Sequence, residues 1–181
     1  MKIGLQITKN EKKYDRLLSL IKSDFSQDVD FIHIPDEDSL KSNFKNLDAL
    51  VCYGIKKENF DYRSDKLKWI HIGASGVDGN LFPELIKSKV MITNAKGINA
   101  KPVAEFIMSQ ILYFSKQLHS CEAFKQNRVW NQWELAKNTL QLSDLTLGII
   151  GYGEIGKELS KLAKPFGMKV MATRRLQKKI E

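Results

Sequence analysis

The chain of 181 residues contains only two cysteines, Cys52 and Cys121, and three histidines, His33, His71 and His119. Two thiols supply neither a disulfide framework nor a metal set, so no metal site is expected and a reducing, cytoplasmic location is. Long apolar runs are also missing. The densest stretch, Val103 to Phe114, is interrupted by Glu105, Ser109 and Gln110, short of the about 18 residues that a membrane span needs. No membrane partner is expected. Internal repeats and low-complexity tracts are absent, and with a strand-like run beginning at Lys2 no signal peptide is expected. What remains is an ordinary globular composition, with 43% hydrophobic and 28% charged residues.

Acidic residues are the scarcer charge. Lys and Arg number 29 against 21 Asp and Glu, a net charge of +8. The excess is uneven: residues 1–100 hold 16 basic and 14 acidic side chains, residues 101–181 hold 13 and 7. A basic half suits nucleic acid, a phosphorylated ligand, or solubility alone. Few aromatics interleave with these basic residues, so nucleic acid is the weakest of the three and no such partner is expected.

Strand-like and helix-like segments alternate through the first hundred residues. Strands are expected at Lys2–Ile7, Asp28–Ile34, Ala49–Tyr53, Leu67–Ile72 and Val90–Asn94, with helices at Glu11–Ser23, Asp38–Phe44 and Leu81–Ser88. Repeated strand–helix–strand units imply parallel strands joined by right-handed crossovers. The expected fold class is α/β, a doubly wound parallel sheet with its ligand edge at the carboxyl ends of the strands. A helix is then expected from Lys101 to Asn127, about 39 Å long. That length suggests a bridge between two domains or two subunits. The segment Val129-Trp130-Asn131-Gln132-Trp133 reads as irregular, its tryptophans as packing anchors.

The most informative run is Leu147-Gly148-Ile149-Ile150-Gly151-Tyr152-Gly153-Glu154-Ile155-Gly156. A lone Gly-x-Gly-x-x-Gly is weak. Here it follows a hydrophobic strand, opens a helix over Glu154–Phe166, and is followed by a second strand, Lys169–Thr173. That context marks a dinucleotide-binding turn. Gly151 permits the tight turn, Gly153 lets backbone approach a pyrophosphate, and Gly156 lets the helix pack on the strand. Free amides and the helix dipole then hold the anion. After the second strand, where NAD-binding folds carry a carboxylate, stand Thr173, Arg174 and Arg175, with Arg174 eighteen residues past Gly156. A guanidinium clasps a 2′-phosphate that a carboxylate would repel, so NADP is read over NAD. The apolar faces of Leu147, Ile149, Ile150, Leu159, Leu162 and Val170 are expected to lack their usual partners, so that either tight dimerisation covers this half-domain or it is disordered.

Three blocks together resemble the D-isomer-specific 2-hydroxyacid dehydrogenases, relatives of phosphoglycerate, glycerate and glyoxylate/hydroxypyruvate reductases. They are Leu67 to Asp78, Ile92 to Glu105, and Leu145 to Gly156 followed by Lys164 to Val170. The resemblance implies a flavodoxin-like substrate domain over 1–98, lacking the helix that returns to it, then part of a Rossmann NAD(P) domain over 99–181. It implies hydride transfer between NAD(P) and a small 2-hydroxy or 2-oxo acid. The backbone of Ser75, Gly76 and Val77 would bind the acid's carboxylate, Val103 would lie near the nicotinamide, and Tyr152 to Gly156 would hold the pyrophosphate. Thr173, Arg174 and Arg175 would meet the adenosine end. Homodimerisation through the 101–140 helical region and the incomplete Rossmann half is implied too. The family's catalytic Arg, carboxylate and His lie downstream of the second Rossmann strand. They are expected beyond residue 181, so the chain is expected to be inactive alone. The alternative is a noncatalytic regulatory module that binds a dinucleotide or carboxylate without chemistry.

Overall fold

The structure, a computed structural model, describes residues 1–25 and 28–175. The chain divides into two compact units, Met1–Lys96 and Gly97–Glu181. Among the described residues no helix is long and apolar enough to cross a membrane.

The first unit carries five parallel strands, β1 (Lys2–Gln6), β2 (Asp30–His33), β3 (Ala49–Cys52), β4 (Trp69–Ile72) and β5 (Met91–Asn94), in the order β2-β1-β3-β4-β5. All four pairings are parallel. This is the flavodoxin-type doubly wound order, and it requires cover on both faces. The strand alternation supplies it. Leu50, Cys52, Ile70 and Ile72 point into one core with Phe44, Phe60 and Leu85. Ile3, Leu5 and Ala49 point into the other with Tyr14. Helices α1 (Glu11–Ile21), α2 (Glu37–Phe44), α3 (Lys57–Phe60) and α4 (Pro83–Ile86) make the layers. Two of them begin on side-chain caps: Asn10 Oδ1 accepts from Lys13 N–H at 2.9 Å and Asp36 Oδ1 from Ser39 N–H at 2.8 Å. Helix α4 is shorter than the pattern predicts, because a 3-10 turn over Asp78–Asn80 and Pro83 at the first helical turn delay its start.

The second unit holds α5 (Ala100–Ser115), α6 (Leu118–Gln126), α7 (Gln132–Asn138), β6 (Thr146–Ile150), α8 (Glu154–Ala163) and β7 (Lys169–Thr173). β6 and β7 pair in parallel. The single helix expected over Lys101–Asn127 is in fact two. Gln117 adopts a left-handed backbone, φ 55, and Lys116 N–H closes α5 onto Leu112 O. Gln117 Nε2 donates to Phe114 O and Asn138 O, holding the corner. No single helix spans Lys101–Asn127. Of the segment read as irregular, Gln132 and Trp133 instead open α7, capped by Asn131.

The tryptophans of that region are not packing anchors within the chain: Trp130 is 89% and Trp133 73% exposed. The apolar face of β6 and α8 is also better covered than the sequence suggests. Ala104 and Met108 of α5, with Leu142, bury Ile149, Leu159 and Ala163, and Leu147, Leu162 and Val170 pack at the margin. Ile150, by contrast, is 95% exposed, and Met171 on the same sheet face is 68% exposed.

Candidate functional site

In the second unit the chemistry centres on the turn between β6 and α8. Gly151 has φ +91, a conformation that an L side chain adopts only under strain, and a Cβ there would meet nothing within 4 Å. The turn is therefore open above Gly151, as it is above Gly153. Gly156 answers a different need. A Cβ on it would lie 3.0 Å from Gly151 O and 3.1 Å from Ile149 Cγ2, so the helix start sits directly on the strand end.

The N–H groups of this turn divide into two sets. Gly151 and Tyr152 both donate to Thr173 O, each at 3.1 Å, and Gly153 donates to Gly151 O at 3.0 Å. Of the residues expected to hold the pyrophosphate, Tyr152 and Gly153 keep no free amide. The amides of Gly151, Tyr152 and Gly153 are spent on folding the turn. Ile155 and Gly156, in the first turn of α8, have no internal acceptor among the described residues; Lys157 is the first to bond back, onto Gly153 O at 3.0 Å. No side chain among the described residues caps this helix. Two unengaged amides, the positive end of the helix and an open surface make an anion site. Glu154 stands at the entrance, its charge offset by Lys157, whose Nζ donates to Oε1 at 2.9 Å.

Around this turn lie the other residues singled out from the sequence. Thr173 ends β7, and its carbonyl anchors the glycine turn. Arg174 and Arg175 follow, exposed, and neither forms an ion pair with a described residue. Lys178 and Lys179, the rest of that basic cluster, lie outside the described residues. Val103 is half-buried in the first turn of α5. A Cβ on Gly97, just before that helix, would stand 3.7 Å from Glu154 Cγ, so α5 begins beside the glycine turn.

In the first unit, Ser75, Gly76 and Val77 form the loop at the carboxyl end of β4. Their N–H groups donate to no acceptor among the described residues. β5 holds the loop in place: Asn94 Nδ2 donates to Ser75 O at 2.7 Å, and Ala95 N–H reaches both Ile72 O and Ala74 O. A Cβ on Gly76 would meet nothing within 4 Å. Successive free amides on an open loop suit a carboxylate.

The histidines are occupied elsewhere. His33 Nε2 donates to Thr8 O at 2.8 Å, and its ring stacks on Tyr14. His71 Nδ1 lies 2.9 Å from Thr93 Oγ1, which also accepts from Trp69 Nε1. His119, on α6, packs beside Tyr113 and Phe114. Among the described residues no group of three or more His, Cys, Asp or Glu side chains could hold a metal. Sequence reasoning missed one feature of the first unit, a crevice of about 370 Å³ at the ends of β1, β2 and β3. Strand order alone could have pointed there, since β1 is where the sheet changes winding direction.

Residues 108–181 match the model of the D-isomer specific 2-hydroxyacid dehydrogenase, NAD binding domain. The glyoxylate reductase of Thermococcus litoralis is 30% identical over 151 residues, covering 80% of this chain and 46% of that protein. The D-3-phosphoglycerate dehydrogenase of Dictyostelium discoideum is 31% identical over 137 residues, covering 75% of this chain and 33% of that protein. The chain belongs to the D-isomer specific 2-hydroxyacid dehydrogenase family. It spans half or less of the length of these relatives. Solved structures share the fold. A D-isomer specific 2-hydroxyacid dehydrogenase family protein from Aeromonas salmonicida superposes with a TM-score of 0.77 at 23% identity, over 96% of this chain and 53% of that one. D-lactate dehydrogenase from Aquifex aeolicus, complexed with NAD and lactic acid, gives 0.68 at 20% identity, over 98% and 52%. In family terms, the glycine turn and β7 fall inside the matched NAD-binding region, and the Ser75–Val77 loop precedes it.

Proposed function

We propose that the chain supplies the binding elements of a cytoplasmic dehydrogenase that transfers hydride between NADP and a small 2-hydroxy or 2-oxo acid. Residues 1–98 are its flavodoxin-like substrate-binding domain and residues 99–181 the first part of its Rossmann domain. The observation that carries this reading is the pair of unengaged amides, Ile155 and Gly156, at an uncapped helix start beneath an open glycine turn. Two such donors match the diphosphate of a dinucleotide, and a Gly151 without a side chain lets it approach.

The residues present fit the cofactor. When bound, the nicotinamide supplies or accepts the hydride. The chain's own groups orient and neutralise. Ile155 and Gly156 N–H hold the diphosphate, Val103 offers an apolar surface to the nicotinamide, and Ser75, Gly76 and Val77 N–H fix the carboxylate of the acid. Arg174 and Arg175, without carboxylate partners among the described residues, clasp the 2′-phosphate and favour NADP over NAD. His33, His71 and His119 are engaged in packing and hydrogen bonds, so none is assigned the proton transfer. The reading gives this chain binding rather than turnover. The exposed aromatic surface of Trp130 and Trp133 supports a homodimer through the 101–140 region.

Fluorescence titration of the chain with NADPH and NADH tests the assignment. NADPH should bind more tightly, and Arg174→Asp should reverse the order by removing about 1.5–3 kcal/mol of charged hydrogen bonding. Tighter NADH binding by the unaltered chain, or an Arg174→Asp variant with unchanged preference, refutes the NADP reading. Absence of binding by either dinucleotide refutes the whole proposal.

A further inference from the structure

At the carboxyl end of β1 the sheet of the first unit changes winding direction, with β2 on one side and β3 on the other. In doubly wound sheets the chain leaves such a point toward opposite faces, and a crevice opens between the departing loops. Here that crevice has a volume of about 370 Å³, and its polar lining comes from Gln6, Thr8, Lys9, Asp36, Glu37 and Tyr53. The volume is at the small end for ligand pockets, which suits a compact metabolite. None of Ser75, Gly76 or Val77 lines it.

The hydrogen-bonding groups of this crevice are unevenly satisfied. Gln6 Oε1 is buried and accepts from nothing among the described residues, a costly state for an amide oxygen that a donor would relieve. Glu37 is already neutralised: Lys56 Nζ donates to its Oε1 at 2.6 Å, and that ammonium lowers the Glu37 pKa. Asp36 commits Oδ1 to the α2 cap, 2.8 Å from Ser39 N, and keeps Oδ2 for another donor. Lys9 forms no ion pair with a described residue. The crevice thus presents one free carboxylate oxygen and one free ammonium, complementary to a ligand that carries one positive and one negative group.

We propose that this crevice binds a small zwitterion of the α-amino acid class. The ligand's ammonium group meets the free oxygen of Asp36, and its carboxylate meets Lys9. The site is independent of the dinucleotide reading, since its lining residues all lie in the first unit and none belongs to the glycine turn.

A two-dimensional NMR titration of the ¹⁵N-labelled chain tests this with L-alanine, and with ethylamine and propionate as its two halves. L-alanine should give saturable shifts at the Gln6 side-chain amide and at the backbone amides of Thr8, Lys9, Tyr53 and Gly54. Each half should bind about tenfold more weakly, losing one of two charged contacts. Lys9→Gln should weaken L-alanine about tenfold and leave ethylamine unchanged. Asp36→Asn should weaken both, and because asparagine caps a helix as well as aspartate does, α2 stays folded. The proposal is overturned if L-alanine gives no saturable shift at these residues by about 50 mM, above the millimolar Kd expected of so small a ligand. It is equally overturned if propionate binds as tightly as L-alanine, or if the shifts fall at Ser75–Val77 instead.

Discussion

Adding one methyl group at Gly156 probes the proposed dinucleotide site at its tightest point. An alanine Cβ would sit 3.0 Å from Gly151 O and 3.1 Å from Ile149 Cγ2, with Tyr152 Cδ2 at 3.5 Å. The first two are inside ordinary contact distance, so something must move by a few tenths of an ångström. Gly151 O is held by the Gly153 N–H at 3.0 Å, and Ile149 is buried in the second unit's core. The helix start is the freer partner, and it lifts. Overpacking of this kind costs about 1–3 kcal/mol, against up to about 1 kcal/mol gained by replacing glycine in a helix. Stability should therefore fall by about 1 kcal/mol. The lifted residues, however, are Ile155 and Gly156, whose amides are the proposed anion donors. Losing one charge-assisted hydrogen bond is worth about 1.5–3 kcal/mol, or about 10- to 100-fold in Kd. Fluorescence titration with NADPH, run beside urea unfolding, separates the two effects: affinity should drop by more than stability does. A Gly156→Ala variant that binds NADPH like the unaltered chain while unfolding more easily would refute the role given to these amides.

Three further outcomes follow from the geometry. Gly167 has φ +76, and a Cβ there would lie 3.0 Å from Ser143 Cβ, so Gly167→Ala should lower stability by about 2–3 kcal/mol in urea unfolding; an unchanged midpoint contradicts this. Burial raises the Cys52 thiol from its usual 9.0 to about 11, partly offset by a backbone hydrogen bond from Gly54. The unfolded thiol thus ionises first, and stability should fall by about 1.4 kcal/mol per pH unit between pH 9 and 11; Cys52→Ala should flatten that slope, and identical slopes for the two proteins refute it. Replacing Trp130 and Trp133 together by serine removes surface that is already exposed. The unfolding midpoint of the monomer should stay put while sedimentation shows the proposed dimer dissociating; an unaltered chain that sediments as a monomer refutes the dimer.

Where one residue type had one physical use, the sequence was readable. Three glycines between a hydrophobic strand and an amphipathic helix left few ways to fold, and β6, α8 and β7 lie where that spacing placed them. The first unit's strands were legible for a similar reason, since short apolar runs punctuated by Pro35, Gly54 and Gly73 fit a sheet buried on both faces. Partner choice was not legible. Which amides the turn keeps for itself depends on where Thr173 O arrives in space, 22 residues after Gly151, and no local pattern encodes that. The break at Gln117 was hidden because glutamine is a good helix former; its left-handed backbone is held by distant contacts with Asn138. The tryptophans misled for the opposite reason: aromatic bulk favours burial, but nothing within the described residues covers Trp130.

The carbonyl of Thr173 is a knot that ties the tip of β7 to the bend above α8. It receives both Gly151 and Tyr152 N–H, and the very next residue carries the guanidinium assigned to the cofactor's 2′-phosphate. Any backbone shift at that tip is therefore felt at once by the bend proposed to hold the diphosphate. Under the proposed assignments, coenzyme preference and coenzyme grip are mechanically geared, so redesign of one by loop exchange at 173–175 should drag the other with it, whereas side-chain swaps that leave that oxygen in place should tune them apart.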